Sequence, residues 1–128
     1  MTADYSVIVP AFNEAENVDA LFEELGRAIA SGSTKGEVVF VDDGSTDETW
    51  SLAVAAATTM GANARVVRHR RNLGKTEAIL TGAREASSDV FVIFDADLQH
   101  SADEIPRFVA GIVDGWDIVT GRKIGQYE

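Results

Sequence analysis

Asp95 and Asp97 stand two residues apart, directly after the apolar run Val90-Phe91-Val92-Ile93-Phe94. Side chains two apart in extended backbone point the same way, so both carboxylates face one spot and Ala96 faces the other. Two like charges held that close repel unless a cation sits between them. Hard oxygen ligands suit Mg2+ or Mn2+, and a pair of carboxylates leaves coordination positions for phosphate oxygens and water. Gln99, two residues further on, adds a neutral oxygen to the same side. The bland alternative makes the pair N-caps of the next helix, a role that Asp103 already fills.

Other strand ends carry polar or turn-forming residues: Pro10-Ala11-Phe12-Asn13-Glu14, Asp42-Asp43-Gly44-Ser45 and Gly121-Arg122. Any one of them alone reads as a solvated turn; together with the Asp95 segment they describe a site. Asp43, placed as an exposed group after a strand, can accept hydrogen bonds from a ribose hydroxyl or a base N–H. The competing reading has Asp42 or Asp43 capping the following helix, but Ser45 is the better cap and leaves Asp43 free. Arg122 and Lys75 are candidates to offset diphosphate charge, with plain surface exposure as the alternative for each. Leu73-Gly74-Lys75-Thr76 has the form of a P-loop tail, but that motif needs glycine where His69 stands, so it is rejected. Arg65, Arg68, Arg70 and Arg71 form a basic run that reads as solvated surface, with a phosphate or membrane contact as the rival reading. His69 and His100 lack metal-ligand spacing, although His100 sits beside the acidic pair.

The elements that must position these groups alternate between short apolar runs and segments of helical period. Strands are expected at Tyr5–Val9, Glu37–Val41, Ala64–Arg68, Val90–Phe94 and Asp117–Thr120. Helices are expected from Asn13 to about Ser31, Ser45 to Met60, Gly74 to Ala86 and Asp103 to Val113. The first helix places Val18, Leu21, Phe22, Leu25 and Ile29 on one face. Ser45 and Glu48 have capping-box spacing, and Gly61 suits the stop. Asp103 as N-cap sets Pro106 in the first turn, where its missing N–H is harmless. β-Branched strands separated by single helices predict an open, mainly parallel α/β sheet with helices on both faces, in one domain over residues 1–128. In such sheets ligands bind at the carboxyl ends of the strands.

A chain of 128 residues can bury one core but not two. The net charge of −10 argues against broad electrostatic binding to nucleic acid or anionic lipid, and obliges an anionic ligand to bring or find a cation. No apolar run approaches the ~20 residues of a membrane span, and the N-terminus lacks the features of a secretory signal. The absence of cysteine excludes disulfides and thiolate metal sites and fits a reducing cytosol.

The ordered segments VIVPAFNE, VDDGSTDET, RNLGKTEAILTG and FDADLQH, spread over about residues 5–122, closely resemble the N-terminal part of family 2 glycosyltransferases of the GT-A fold. The Asp-Ala-Asp-Leu-Gln form is most similar to the polyprenyl-phosphate branch, which includes dolichol-phosphate mannose synthase-like enzymes. The resemblance implies that Pro10, Phe12 and Glu14 line the nucleotide base and that Asp43 binds the base or ribose. It further implies that Asp95, Ala96, Asp97 and Gln99 border the donor diphosphate. Asp95, Asp97 and Gln99 would hold Mg2+ or Mn2+, and Arg122 would contact the phosphates. The expected activity is inverting transfer of a sugar from a UDP- or GDP-linked donor to an acceptor such as a polyprenyl phosphate. Family members continue with an acceptor-side half, so this chain is expected to be the donor-binding part of a longer enzyme, with little activity alone. It is also expected to self-associate near its fourth and fifth strands. The expected location is cytoplasmic, at the membrane face if membrane segments follow. No catalytic residue is assigned: an ionised phosphate acceptor needs no general base, unlike a sugar hydroxyl, and a base carried by the acceptor-side half is equally compatible. Two rivals are a sugar-nucleotide-binding module without transfer, and a haloacid-dehalogenase-type phosphatase. The phosphatase motif normally follows the first strand and continues Gly-Thr, not Leu-Gln.

Overall fold

The apolar runs become the centre of the molecule. The computed structural model describes residues 3–97 together with Ala102, Ile105, Pro106, Val109 and Ala110. Strands β1 (Tyr5–Ala11), β2 (Gly36–Asp42), β3 (Ala64–Arg68) and β4 (Phe91–Ile93) form one parallel sheet in the order β3-β2-β1-β4. Helices α1 (Val18–Ser31), α2 (Thr49–Met60) and α3 (Lys75–Glu85) connect them, with single 3-10 turns at Ala15–Asn17 and Gly61–Asn63.

The order of the strands decides where a ligand can sit. Right-handed crossovers from β1 through β2 to β3 keep α1 and α2 on one face. There Leu21, Phe22 and Leu25 of α1, with Ala53 and Ala57 of α2, pack on Val7, Val9, Val38, Phe40 and Val92. The Phe22 and Phe40 rings meet with centroids 5.4 Å apart. When the chain returns past β1 to form β4, the same handedness places α3 on the other face, where Ala78 packs with Val39 and Val41. The order reverses between β1 and β4, and the loops that leave those strands diverge to open a crevice at their carboxyl ends.

α3 lies close to the sheet because it presents small residues. A Cβ added at Gly82 would come within 2.5 Å of Ile8 Cγ2. Next to Ile8 in register is Ile93 of β4, and next to Ser6 is Phe91; both are 44% exposed. Helices thus cover both faces of the sheet, as expected, while β4 leaves Phe91 and Ile93 open among the described residues.

At the opposite edge, Glu37 is buried and accepts hydrogen bonds from Ser6 Oγ at 2.5 Å, Ser87 N at 2.7 Å and Ser87 Oγ at 3.0 Å. Burial alone would raise its pKa and is the largest single influence. The hydrogen bonds from Ser6 and Ser87, with the charge of Arg65, outweigh it and hold the carboxyl below its ordinary value.

Two helix starts differ from expectation. α1 begins at Val18 instead of Asn13, because Asn13 takes a left-handed conformation (φ 53°) that a helix cannot continue. α2 begins at Thr49 instead of Ser45, because the capping hydroxyl is engaged elsewhere: Ser45 Oγ accepts from Asn13 N at 2.8 Å. The N-cap position falls on Glu48, whose side chain makes no capping bond; Asp47, one residue earlier, accepts Thr49 N at 3.0 Å and Thr49 Oγ1 at 2.5 Å. The Thr49 hydroxyl bond is the main cause that lowers the Asp47 pKa; burial opposes it, and backbone donors add to it. Ile105, Pro106, Val109 and Ala110 are helical, as expected. The expected strand at Asp117–Thr120 lies outside the described residues.

Candidate functional site: a cleft at the strand carboxyl ends

A cleft of about 380 Å³ opens at the reversal point. Pro10, Ala11, Phe12 and Glu14 from the end of β1 line one side, and Asp95, Ala96 and Asp97 from beyond β4 line another. Asp43 after β2, with Asn72, Gly74 and Lys75 before and at the start of α3, completes the wall. Of the residues expected from sequence, Pro10, Phe12, Glu14, Asp43, Asp95, Ala96 and Asp97 are brought together here. Gln99, His100 and Arg122 lie outside the described residues.

β4 ends at Ile93, so the acidic pair sits just past the strand, with Ala96 and Asp97 in a turn. The alternation expected of extended backbone nevertheless persists: Phe94 and Ala96 are buried in the core, while Asp95 is half-buried and Asp97 exposed, both lining the cleft. Asp95 Oδ1 accepts from Lys75 Nζ at 2.7 Å.

Asp43 differs from its expected state. It is 4% exposed, and its carboxylate is occupied by the protein itself. Oδ1 pairs with His69 Nδ1 at 2.8 Å and accepts from Leu73 N at 2.9 Å. Oδ2 accepts from Gly74 N at 3.0 Å and from Asn72 Nδ2 at 3.2 Å. Neither oxygen is left without a partner, so Asp43 is a clamp on the 69–74 loop as well as part of the cleft wall. His69 extends the clamp, its Nε2 lying 2.8 Å from Thr81 Oγ1 on α3. Gly44 permits this approach: its φ is +76°, and a Cβ there would fall 2.2 Å from the Arg71 carbonyl carbon.

The β1 and β2 loops are joined in the same way. Asn13 Oδ1 accepts from Thr46 N at 2.9 Å, and Thr49 Oγ1 accepts from Glu14 N at 2.9 Å. Asp42, fully buried, accepts Ser45 N on Oδ1 at 2.9 Å, while its Oδ2 lies 3.6 Å from Arg68 Nε. Arg68 stacks 5.4 Å over the Trp50 ring, and Arg65 Nη1 donates to Glu85 O at 2.6 Å. Two members of the basic run thus serve packing, leaving Arg70 and Arg71 as exposed surface.

After the third strand, Lys75, a candidate from sequence, does line the cleft, but the loop before it was absent from the sequence-based site. That loop supplies Asn72 and Gly74 to the cleft wall and His69 to the clamp. The available signal was the turn-forming Asn72-Leu73-Gly74 directly before a helical pattern.

A doubly wound sheet with a cleft at its reversal point defines an α/β domain of the kind that binds ligands at the carboxyl ends of its strands. Comparison with known proteins narrows the class: the chain belongs to glycosyl transferase family 2, whose model matches residues 6–127. It is 39% identical over 118 residues to a dolichol-phosphate mannosyltransferase of Pyrococcus furiosus, covering 92% of this chain and 32% of that protein. It is 38% identical over 114 residues to an undecaprenyl-phosphate 4-deoxy-4-formamido-L-arabinose transferase of Serratia proteamaculans, covering 89% and 35%. Among solved structures, a mannosyltransferase from Pyrobaculum calidifontis in complex with GDP-Man and Mn2+ superposes with a TM-score of 0.72 at 32% identity, over 90% of this chain and 34% of that one. Glucosyl-3-phosphoglycerate synthase of Mycobacterium tuberculosis, in complex with Mn2+, UDP and glucosyl-3-phosphoglycerate, superposes with a TM-score of 0.70 at 25% identity, over 88% and 40%. The fold is GT-A, and the chain spans about a third of the length of the curated relatives it matches.

Proposed function

We propose that this chain is the donor-binding part of an inverting glycosyltransferase that moves a sugar from a nucleoside diphosphate to a polyprenyl phosphate. The observation that carries the reading is the convergence of Asp95 and Asp97 with Pro10, Phe12 and Glu14 on one cleft at the β1/β4 reversal point. Phe12, 44% exposed, offers an apolar face to a base, and Glu14 a carboxylate at the same rim.

The acidic pair fits a divalent cation. Asp95 already directs one oxygen at a cationic group, and no three metal-ligating side chains cluster among the described residues. Such a site holds Mg2+ or Mn2+ through Asp95 and Asp97, with Gln99 as a further ligand, and leaves positions for diphosphate oxygens. A cation held there would neutralise charge on the departing nucleoside diphosphate. Asp43 borders the nucleoside, and its 3.2 Å bond from Asn72 is the weakest of its set, the one a ribose or base donor would replace. Arg122 pairs with the diphosphate.

The acceptor class follows from chemistry as well as from kinship. A phosphate monoester oxygen is ionised at neutral pH and attacks the anomeric carbon in line without a general base. Relatives named for dolichol-phosphate and undecaprenyl-phosphate substrates support a lipid phosphate acceptor, met at the cytoplasmic membrane face. No helix among the described residues is long and apolar enough to cross a membrane.

The test is calorimetry of UDP and GDP binding with Mn2+ or Mg2+ and with chelator. Binding should require the cation, and Asp97→Ala should weaken it by ~2–4 kcal/mol, the scale of losing one charged ligand. Equal affinity with and without chelator overturns the metal reading. Tight binding with no transfer, even in the full-length enzyme, would leave a sugar-nucleotide-binding module.

A further inference from the structure

Lys75 occupies a place that helix energetics does not explain. It is the first residue of α3, where the partial positive charge of the helix N-terminus repels a cation. Its neighbour in the first turn, Glu77, has the sign that end favours. Lys75 is nevertheless directed across the cleft onto Asp95, with Nζ 2.7 Å from Oδ1. The pair is open to solvent on both sides, the side chains being 60% and 38% exposed. Exposed ion pairs of this kind are weak and exchange readily.

Asp95 is also one of the two carboxylates assigned to the cation. An ammonium at hydrogen-bond distance from Oδ1 and a divalent ion on the same carboxylate repel one another, so each weakens the other's hold. Resting on the donor-and-metal reading above, we infer that Lys75 is a counter-ion that competes with the divalent cation for Asp95. When the metal takes Asp95, the displaced ammonium, pushed outward by the helix dipole, turns to the donor diphosphate that lies in the same cleft. One lysine thus acts in two senses. It suppresses uptake of the metal alone and strengthens uptake of metal together with nucleotide. The metal and the nucleotide should therefore enter as a pair, and the acidic site is shielded from cations that arrive without a donor.

The two senses give opposite signs in one variant. Lys75→Met keeps the length of the side chain, removes the charge and, at an exposed helix start, leaves the fold intact; circular dichroism checks this. Free Mn2+ is followed by electron paramagnetic resonance during titration of wild type, Lys75→Met and Lys75→Arg, each alone and with UDP or GDP. We expect Lys75→Met to bind Mn2+ alone about two- to five-fold more tightly, the range an exposed pair permits. With Mn2+ present it should bind UDP or GDP at least three-fold more weakly, and Lys75→Arg should resemble wild type in both. Unchanged or weaker binding of Mn2+ alone by Lys75→Met overturns the competition, even if wild type shows normal metal-dependent nucleotide binding. If wild type takes up no Mn2+ with either nucleotide, the metal reading itself fails and the competition falls with it.

Discussion

Replacing Asp43 by alanine removes an acceptor that holds four donors from the 69–74 loop, namely His69 Nδ1, Leu73 N, Gly74 N and Asn72 Nδ2. A hydrogen bond to a charged group contributes roughly 1.5–3 kcal/mol. The four do not add, because Leu73 and Asn72 are exposed and their donors recover water once the loop is released. His69 does not escape so easily: its side chain is 9% exposed and its other nitrogen is tied to Thr81. The net cost should be ~2–4 kcal/mol, a substantial part of the ~5–15 kcal/mol that holds a typical domain folded. Urea unfolding followed by circular dichroism should show the midpoint falling by roughly 1–2 M. Amide exchange at residues 72–74 should accelerate more than exchange in β2. Asp43→Asn keeps the shape but turns an NH2 group toward donors on one side, so it should recover part of the loss and not all of it. Nucleotide binding should fall in both variants, because the loop carries Lys75 and the cleft wall formed by Asn72 and Gly74. An Asp43→Ala protein with an unchanged midpoint and slow exchange at 72–74, yet with weakened nucleotide binding, would refute the clamp. It would restore the simple view of an exposed ligand contact.

Glu37 links folding to pH. Its folded pKa lies below the ordinary 4.5, so its contribution is fully present above about pH 4.5 and is lost as pH falls through the folded value. Glu37→Gln should flatten the stability curve in that acid window, and parallel curves for variant and wild type would contradict the assignment. Gly82→Ala should destabilise by ~1–3 kcal/mol, since the new methyl meets Ile8 Cγ2 at 2.5 Å in a packed interface; thermal melts decide, and an unchanged or raised Tm refutes the close approach. The open face of β4 at Phe91 and Ile93 should give concentration-dependent association in light scattering, abolished by Ile93→Lys, and a monomer at every concentration would exclude it.

The parts of the fold legible in the sequence are those set by local pattern. Tyr5–Ala11 and Gly36–Asp42 are uninterrupted buried strands, and Val18, Leu21, Phe22, Leu25 and Ile29 do lie on the buried face of α1. The acidic pair was legible because its geometry depends only on two residues and the backbone between them: Ala96 is buried and both aspartates border the cleft. The reversal of strand order was less accessible. Nothing within Val90–Phe94 states that the strand joins the far side of β1, yet that step creates the crevice.

Asp43 and Ser45 mark the boundary of local reasoning. From sequence each had a single local function, Ser45 as cap and Asp43 as a free carboxylate, because only neighbours in the chain were available as partners. In the fold, Ser45 accepts from Asn13, 32 residues earlier, and Asp43 accepts from Asn72, Leu73 and Gly74, 29 to 31 residues later. A strand-end carboxylate looks the same in sequence whether it faces a ligand or a loop, and the difference is decided by donors that arrive from another crossover. The physical consequence is that this cleft is built from the loops of four parallel strands, those after β1, β2 and β3 being cross-bonded to one another. The three residues that join those loops, Asn13, Asp43 and Thr49, therefore govern how firmly the wall formed by the β1, β2 and β3 loops is held. Asp95 is bonded to Lys75 at the start of α3. On the donor-binding reading, a cross-bonded nucleoside wall facing a carboxylate whose exposed ion pair exchanges readily is the arrangement expected where metal and nucleotide arrive and leave together.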